Sequence, residues 1–230
     1  MVNIYYLKTS DLKLDFDFSK VLSKTRKEKL NSISNEELRV QSICAELLLQ
    51  YAFKEYGFDI PKQYEYLGNG KPVSSDVFFS ITHTKGAVMV AVANNVVGID
   101  LEKKKDLEPL LAKKILTKDE FEFYQNNQAG EYLLDSFVRK ESYFKMTGEG
   151  IGNNLTKESV DDILNSSKQV ALCFDDYLSI ITTKQKDLYD VTKVNIVDLI
   201  KMTEEVEDEK IWLHSCWCWC NWCFVCKRIS

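Results

Sequence analysis

Between Val77 and Glu102 the chain carries three strand-like runs almost back to back: Val77 to Thr84, Ala87 to Ala93 and Val96 to Glu102. A sheet is the one arrangement that buries three such short apolar runs in close succession. The last two are joined only by Asn94-Asn95, which suits a tight hairpin. The third run, Val96-Val97-Gly98-Ile99-Asp100-Leu101-Glu102, begins apolar and ends acidic. It starts in a core and delivers Asp100 and Glu102 from one face, because alternate strand residues point the same way. Gly98, without a Cβ, lets another backbone or a ligand approach closely.

The rest of the chain is read around that sheet. Met1 to Leu7 reads as a strand, and the basic stretch Lys24-Thr25-Arg26-Lys27-Glu28-Lys29 as a short helix. Ser34 with Glu37 forms a candidate capping box for a long helix whose apolar positions are Leu38, Ala45, Leu48, Leu49, Ala52 and Phe53, with Gly57 as its stop. Gly68-Asn69-Gly70-Lys71-Pro72 is a loop by its turn residues. From Lys103 the pattern turns helical, through Leu107 to Leu116, Asp119 to Tyr124 and a longer helix from Glu131 to Met146 that Gly148 terminates. Strands follow at Gln169 to Phe174, Tyr177 to Thr183 and Asp190 to Ile196. Each half thus runs through helices into a few antiparallel-looking strands. The expected fold is α+β, with two similar α/β subdomains of pseudo-twofold character, residues 1–103 and 104–200, and an active site at their interface. No residue-level repeat accompanies that division.

Composition narrows the function classes. Of 230 residues 28% are charged, and 30 basic against 35 acidic side chains leave a net charge of −5. That balance disfavours nucleic-acid binding as a whole-surface property. No apolar run approaches a membrane span and the first ten residues lack a signal-peptide pattern, so the expectation is a cytoplasmic protein without a membrane partner. Cys44 and Cys173 sit singly in apolar surroundings. Cys216, Cys218, Cys220, Cys223 and Cys226 instead crowd into the last segment with all 4 Trp, at Trp212, Trp217, Trp219 and Trp222. These thiols form one cluster without the distant second pair of a zinc ribbon, so 201–230 reads as an atypical extension outside the fold.

About forty residues after Asp100 and Glu102 comes Lys140-Glu141-Ser142, followed by Lys145. On a helix Glu141 and Lys145 share a face. Taken singly, Asp100 and Glu102 could equally be a solvated surface pair, whereas Phe137, Tyr143 and Phe144 surround the second segment with aromatic bulk and set Glu141 at the border of the core. Three carboxylates gathered with lysines, however, suit Mg²⁺, which takes oxygen ligands alongside phosphate-bearing substrates. His83, between Thr82 and Thr84, is most simply a structural histidine, yet imidazole and hydroxyls at a strand end make donors for phosphate oxygens. Lys71 and the Arg26, Lys27 and Lys29 cluster are well placed to reach an anion.

Taken in order, Lys71-Pro72, Ser80-Ile81-Thr82-His83-Thr84, Gly98-Ile99-Asp100-Leu101-Glu102 and Phe137-Val138-Arg139-Lys140-Glu141-Ser142 with Lys145 resemble the 4′-phosphopantetheinyl transferases, of the larger, surfactin-synthetase-activating type. The resemblance runs from about Met1 to Ile200. It implies transfer of the phosphopantetheine arm of coenzyme A to a serine of an apo acyl or peptidyl carrier protein, releasing adenosine 3′,5′-bisphosphate, by a monomeric enzyme. By the same resemblance Asp100, Glu102 and Glu141 hold Mg²⁺. Lys140 and Lys145 neutralise phosphate, while Arg26, Lys29, Ser42, Lys71, Thr82 and His83 bind the coenzyme. Glu120 matches a family acid near the metal, and either Glu141 or Glu120 removes the serine proton.

Two positions depart from the family pattern. Gln41 stands where an arginine is common, and Cys44 where a glycine is usual. The rival readings are another Mg²⁺-dependent coenzyme A or nucleotide phosphohydrolase, and a coenzyme-binding module without turnover.

Overall fold

Strand β5 (Ala87–Ala93) is buried along its whole length, and its alternation sets the layers of the fold. Val88, Val90 and Val92 point into one core, whereas Ala87, Met89, Ala91 and Ala93 point into another. Both edges of β5 are taken: β1 (Val2–Lys8) and β4 (Phe78–Thr84) each pair with it antiparallel. The computed structural model describes residues 1–12, 18, 21–58, 65–67, 71–127, 130–150, 152 and 154–202.

Because β5 has no free edge, Asn94-Asn95 does not close the hairpin expected there. The chain instead steps across to β6 (Val97–Lys103) in a different sheet. The real hairpin is β4–β5, turned at Lys85-Gly86, where Gly86 takes φ +88°. The first sheet has the order β4-β5-β1-β9, with β9 (Tyr189–Lys193) parallel to β1. The second has the order β6-β8-β7, all antiparallel, from β7 (Lys168–Phe174) and β8 (Tyr177–Thr183). Glu65–Tyr66 (β2) and Pro72–Val73 (β3) form a small separate ribbon.

Helix α1 spans Lys24–Asn31 and α2 spans Glu36–Glu55. The cap of α2 is Asn35, whose side chain accepts from the amide of Leu38 at 3.1 Å, one residue later than the expected Ser34 box. Leu38, expected on the apolar face, is exposed, while Leu47, Leu48, Leu49, Ala52 and Phe53 fill the core against β5. Gly57 ends the helix with φ +84°.

The helical region after β6 consists of α3 (Ala112–Ile115), α4 (Lys118–Asn127) and α5 (Gly130–Thr147). Gly148 terminates α5 at φ +79°, its amide bonded to the Phe144 carbonyl. A further helix, α6 (Val160–Ser166), has no counterpart in the sequence reading; its signal was Ser159 with Asp162, a capping box built with aspartate.

From one side to the other the layers are α2, first sheet, second sheet and α5. The two sheets meet through Val2, Ile4 and the small and flexible residues of β5 against Val97, Ile99, Leu101 and Ile181. Leu134 and Val138 of α5 pack on Ile180 of β8. The fold is therefore α+β as expected.

The sheets do not divide the chain at Lys103, however. β6 lies before that point yet belongs with β7 and β8, whereas β9 returns to the first sheet. Residues 196–202 form a further helix, α7, in which Leu199 joins the α2 core and Met202 is buried, so the fold continues past 200. The Cys/Trp-rich stretch and the turn residues Gly68, Asn69 and Gly70 lie outside the described residues. Among the described residues no helix is long and apolar enough to cross a membrane.

Candidate active site

The site is fixed by how closely α5 lies on β6. A Cβ on Gly98 would stand 1.9 Å from the Ser142 carbonyl oxygen and 2.5 Å from the Met146 amide nitrogen. Glycine is thus the residue that lets helix and strand touch. That contact brings Glu141 and Lys145, one turn apart on α5, over Asp100 and Glu102, two residues apart on β6. The three carboxylates and Lys145 of the sequence reading converge at one corner.

Strand β4 supplies the third side of this corner. Ser80, Thr82 and Thr84 alternate on one face, and all three hydroxyls are spent on β6. Ser80 Oγ accepts from the Ile99 amide at 3.2 Å, Thr82 Oγ1 donates to Asp100 Oδ1 at 3.0 Å, and Thr84 Oγ1 donates to Glu102 Oε2 at 3.1 Å. Lys145 Nζ completes the group, 2.6 Å from Asp100 Oδ1 and 3.2 Å from Thr82 Oγ1. Thr82 is therefore buried against a carboxylate, and not at an open coenzyme surface as expected. Sequence reading missed this hydroxyl ladder, although the alternation Ser80, Thr82, Thr84 was its signal.

Crowding of negative charge dominates the electrostatics. Burial, then the charge of Asp100, pushes the Glu141 carboxyl up to about 7, although Lys145 opposes the shift. Burial and Asp100 likewise raise Glu102, against the Thr84 hydrogen bond. Asp100 Oδ2 is buried and has no hydrogen-bond partner. Among the described residues no three acidic, histidine or cysteine side chains stand gathered as a ready metal cage. The chemistry of the corner nevertheless fits a hard divalent cation: all-oxygen donors, mutual repulsion, and one buried carboxylate oxygen without a donor.

Beside it, on the other face of β4, opens a cleft of about 290 Å³ lined by Thr25, Arg26, Lys29, Leu49, Ile81 and His83 among others. Arg26 is held from behind by Glu46, which the sequence reading passed over, and by Ser42. Its Nε donates to Glu46 Oε2 at 3.3 Å and one terminal nitrogen to Ser42 Oγ at 3.0 Å, with Glu46 itself buried on α2. Ser42 is thus a support for Arg26, itself buried. Burial and the nearby Arg26 charge lower Lys29. The His83 side chain remains partly accessible at the cleft, yet local desolvation, then Lys145, Lys29 and Arg26, push its imidazole down. Cations thus crowd the cleft while carboxylates crowd the corner. Arg39 does not stand in for the missing arginine at Gln41, because it donates to the Leu30 and Ile33 carbonyls at 2.7 and 3.3 Å.

Lys71, expected at a phosphate, is half-buried and donates to the Lys145 carbonyl near the C-terminal end of α5, where a cation answers the helix dipole. Its desolvation lowers the ammonium from its ordinary value.

Lys140 and Glu120 occupy a different place from the one expected. Lys140 is fully buried, with Nζ donating to Glu120 Oε2 at 2.6 Å and to the Ile115 and Leu155 carbonyls at 3.0 and 2.9 Å. Glu120 also accepts from the Thr117 and Val160 amides at 2.8 and 2.7 Å. All three ammonium donors have oxygen partners, so Lys140 has none left for phosphate. Glu120, committed to Lys140 and two amides, is likewise removed as a base. Together they tie α3, α4, α5 and the start of α6 into one unit.

Residues 96–196, which hold both acidic segments, match the sequence profile of the 4′-phosphopantetheinyl transferase superfamily. The 4′-phosphopantetheinyl transferase psf-1 of Bacillus pumilus is 28% identical over 125 residues, covering 50% of this chain and 53% of that protein. The transferase gsp of Aneurinibacillus migulanus is 32% identical over 87 residues, 36% of each chain. The transferase Sfp of Bacillus subtilis strain 168 is 25% identical over 151 residues, 62% of this chain and 67% of its own. The match to the first of these relatives spans about half of its length, and the match to the second about a third. The profile falls on β6 and α5, the two elements that build the corner, so it is over the segment carrying the site, residues 96–196, that the chain matches the 4′-phosphopantetheinyl transferase superfamily.

Proposed function

We propose that this chain transfers the 4′-phosphopantetheine arm of coenzyme A to a serine of an apo acyl or peptidyl carrier protein in a Mg²⁺-dependent reaction. The observation that carries this reading is the adjacency of a carboxylate corner (Asp100, Glu102, Glu141) and a cation-lined cleft (Arg26, Lys29, His83) on opposite faces of one strand. A substrate with a pyrophosphate and a further phosphate needs both. In this reading the α2-covered and α5-covered sheets are two related halves, with the site on their seam.

Asp100, Glu102 and Glu141 would hold Mg²⁺, which when bound supplies charge neutralisation and polarisation of the pyrophosphate. Arg26 and Lys29 bind the phosphate at the nucleotide end, and the apolar wall of Leu49 and Ile81 receives the flat base. Lys145 stabilises charge that builds up on the pyrophosphate oxygens during transfer.

The serine oxygen forms a bond to the phosphorus attached to the pantetheine arm. The bond from that phosphorus to the bridging oxygen breaks, and adenosine 3′,5′-bisphosphate leaves with the electron pair. Glu141 accepts the serine proton, since Glu120 is already committed to Lys140 and two backbone amides.

The test is to incubate the protein with coenzyme A, Mg²⁺ and several apo carrier proteins and to weigh each carrier. The expected result is a gain of one phosphopantetheine with one adenosine bisphosphate released. Bisphosphate release without a carrier would point to a hydrolase, and tight coenzyme binding with no gain on any carrier would leave only a binding module.

A further inference from the structure

We propose that Lys145 is a tethered counter-cation: its ammonium and the divalent cation hold Asp100 in alternation, and uptake of the metal releases the ammonium. This rests on the metal-binding reading of the corner given above.

The geometry supports an exchange of this kind. Lys145 Nζ lies 2.6 Å from Asp100 Oδ1, at the one carboxylate of the three that is both buried and left with an orphaned oxygen. Thr82 Oγ1 bridges the pair, donating to Asp100 and accepting from Lys145. No other ammonium or guanidinium among the described residues makes an ion pair with these three carboxylates. Lys145 is about a quarter exposed whereas Asp100 is buried, so the lysine stem is the partner free to turn away.

Without a cation the corner would hold three carboxylates packed under α5, and a buried unpaired carboxylate strongly opposes folding. A divalent ion and an ammonium on one carboxylate repel each other at short range, so binding of the metal loosens the hold on the ammonium.

The released ammonium then meets the negative charge of a phosphate substrate. Metal and anionic substrate therefore favour the same arrangement, and by linkage each strengthens binding of the other. Lys145 on this account is more than a static phosphate ligand.

Isothermal titration of the full chain with Mg²⁺ alone, in the absence of coenzyme, tests the exchange. Lys145→Gln is expected to bind Mg²⁺ about tenfold or more tightly than the wild type, because the competitor is gone. Lys145→Arg, which keeps the charge, is expected to bind no more tightly. Lys105→Gln removes an equal charge that acts on Glu102 and is expected to change affinity by less than about twofold, since that lysine is exposed and screened by solvent. Equal or weaker Mg²⁺ binding by Lys145→Gln overturns the exchange while leaving the metal site standing. An equal gain in Lys105→Gln also overturns it, by showing a diffuse charge effect. If neither the wild type nor Lys145→Gln takes up Mg²⁺, the metal reading fails and the exchange with it.

Discussion

Gly98 on β6 lies against Ser142 on α5 so closely that a methyl group there would come within 1.9 Å of the Ser142 carbonyl oxygen. The contact is with helix backbone, which cannot yield as a side-chain tip would. Gly98→Ala must therefore lift α5 from the strand, and with it Glu141 from Asp100. The expected cost is about 1–3 kcal/mol or more, the range for overpacking a tight core. Thermal melts should show the loss, and Mg²⁺ titration of the folded fraction should show weakened uptake. A wild-type melting temperature would mean that α5 rides on β6 more loosely than the structure has it.

Lys140 and Glu120 should behave as a stability pair. Removing one member leaves the other charged and buried, at a cost of about 3–5 kcal/mol, so Lys140→Met and Glu120→Gln are each expected to destabilise severely. The double variant Lys140→Met/Glu120→Gln should cost clearly less than the two single losses together, since neither orphan remains. Urea denaturation of all four proteins measures the coupling. Additive losses would mean that the two side chains stabilise the fold independently and not as a pair.

The contrast between these two regions explains what was legible in the sequence. Asp100, Glu102, Glu141 and Lys145 were found because period two on a strand and period four on a helix assign faces without any tertiary knowledge. Their meeting depended on Gly98, whose missing Cβ signalled a close approach but not which backbone made it. Lys140 was misread because charge on a helix looks alike in sequence whether it faces water or a cage of carbonyls. Only burial separates the two. The Asn94-Asn95 hairpin failed for a related reason. A turn signal fixes where the chain bends, while the pairing of β5 with β1 and β4 left β6 no edge to join. The return of β9 to the first sheet was beyond sequence reading altogether, because a parallel pairing across most of the chain leaves no local trace.

His83 should titrate below the ordinary histidine value of about 6.5. The sign follows from its surroundings, where desolvation and then Lys145, Lys29 and Arg26 disfavour the imidazolium. The folded state thus binds this proton less tightly than the unfolded chain. Stability from this group is present above about pH 6.5 and is lost as pH falls below it. The chain has 2 His, His83 and His214, so in an NMR titration His83→Gln identifies which signal belongs to His83. Lys29→Gln should move the His83 midpoint upward, and so should inorganic phosphate bound in the cleft. A midpoint at or above 6.5 in the free protein would contradict a cation-crowded cleft.

Glu141 carries the opposite kind of pH signature. Its carboxyl rises to about 7 in the fold from an unfolded value near 4.5, so the folded state holds the proton more tightly. Between those values the unfolded chain ionises first, and stability falls as pH rises through the window. The shift corresponds to a penalty on the order of 3 kcal/mol, complete above about pH 7. Glu141→Gln removes the ionising group at nearly constant shape. In EDTA the variant should therefore unfold at higher urea than the wild type at pH 8, and the two should converge near pH 4. Added Mg²⁺ should reverse the order at pH 8, stabilising the wild type by mass action while leaving Glu141→Gln nearly unmoved. An unchanged pH slope in Glu141→Gln would assign the raised proton to another member of the corner, with Glu102, also raised, the next to test.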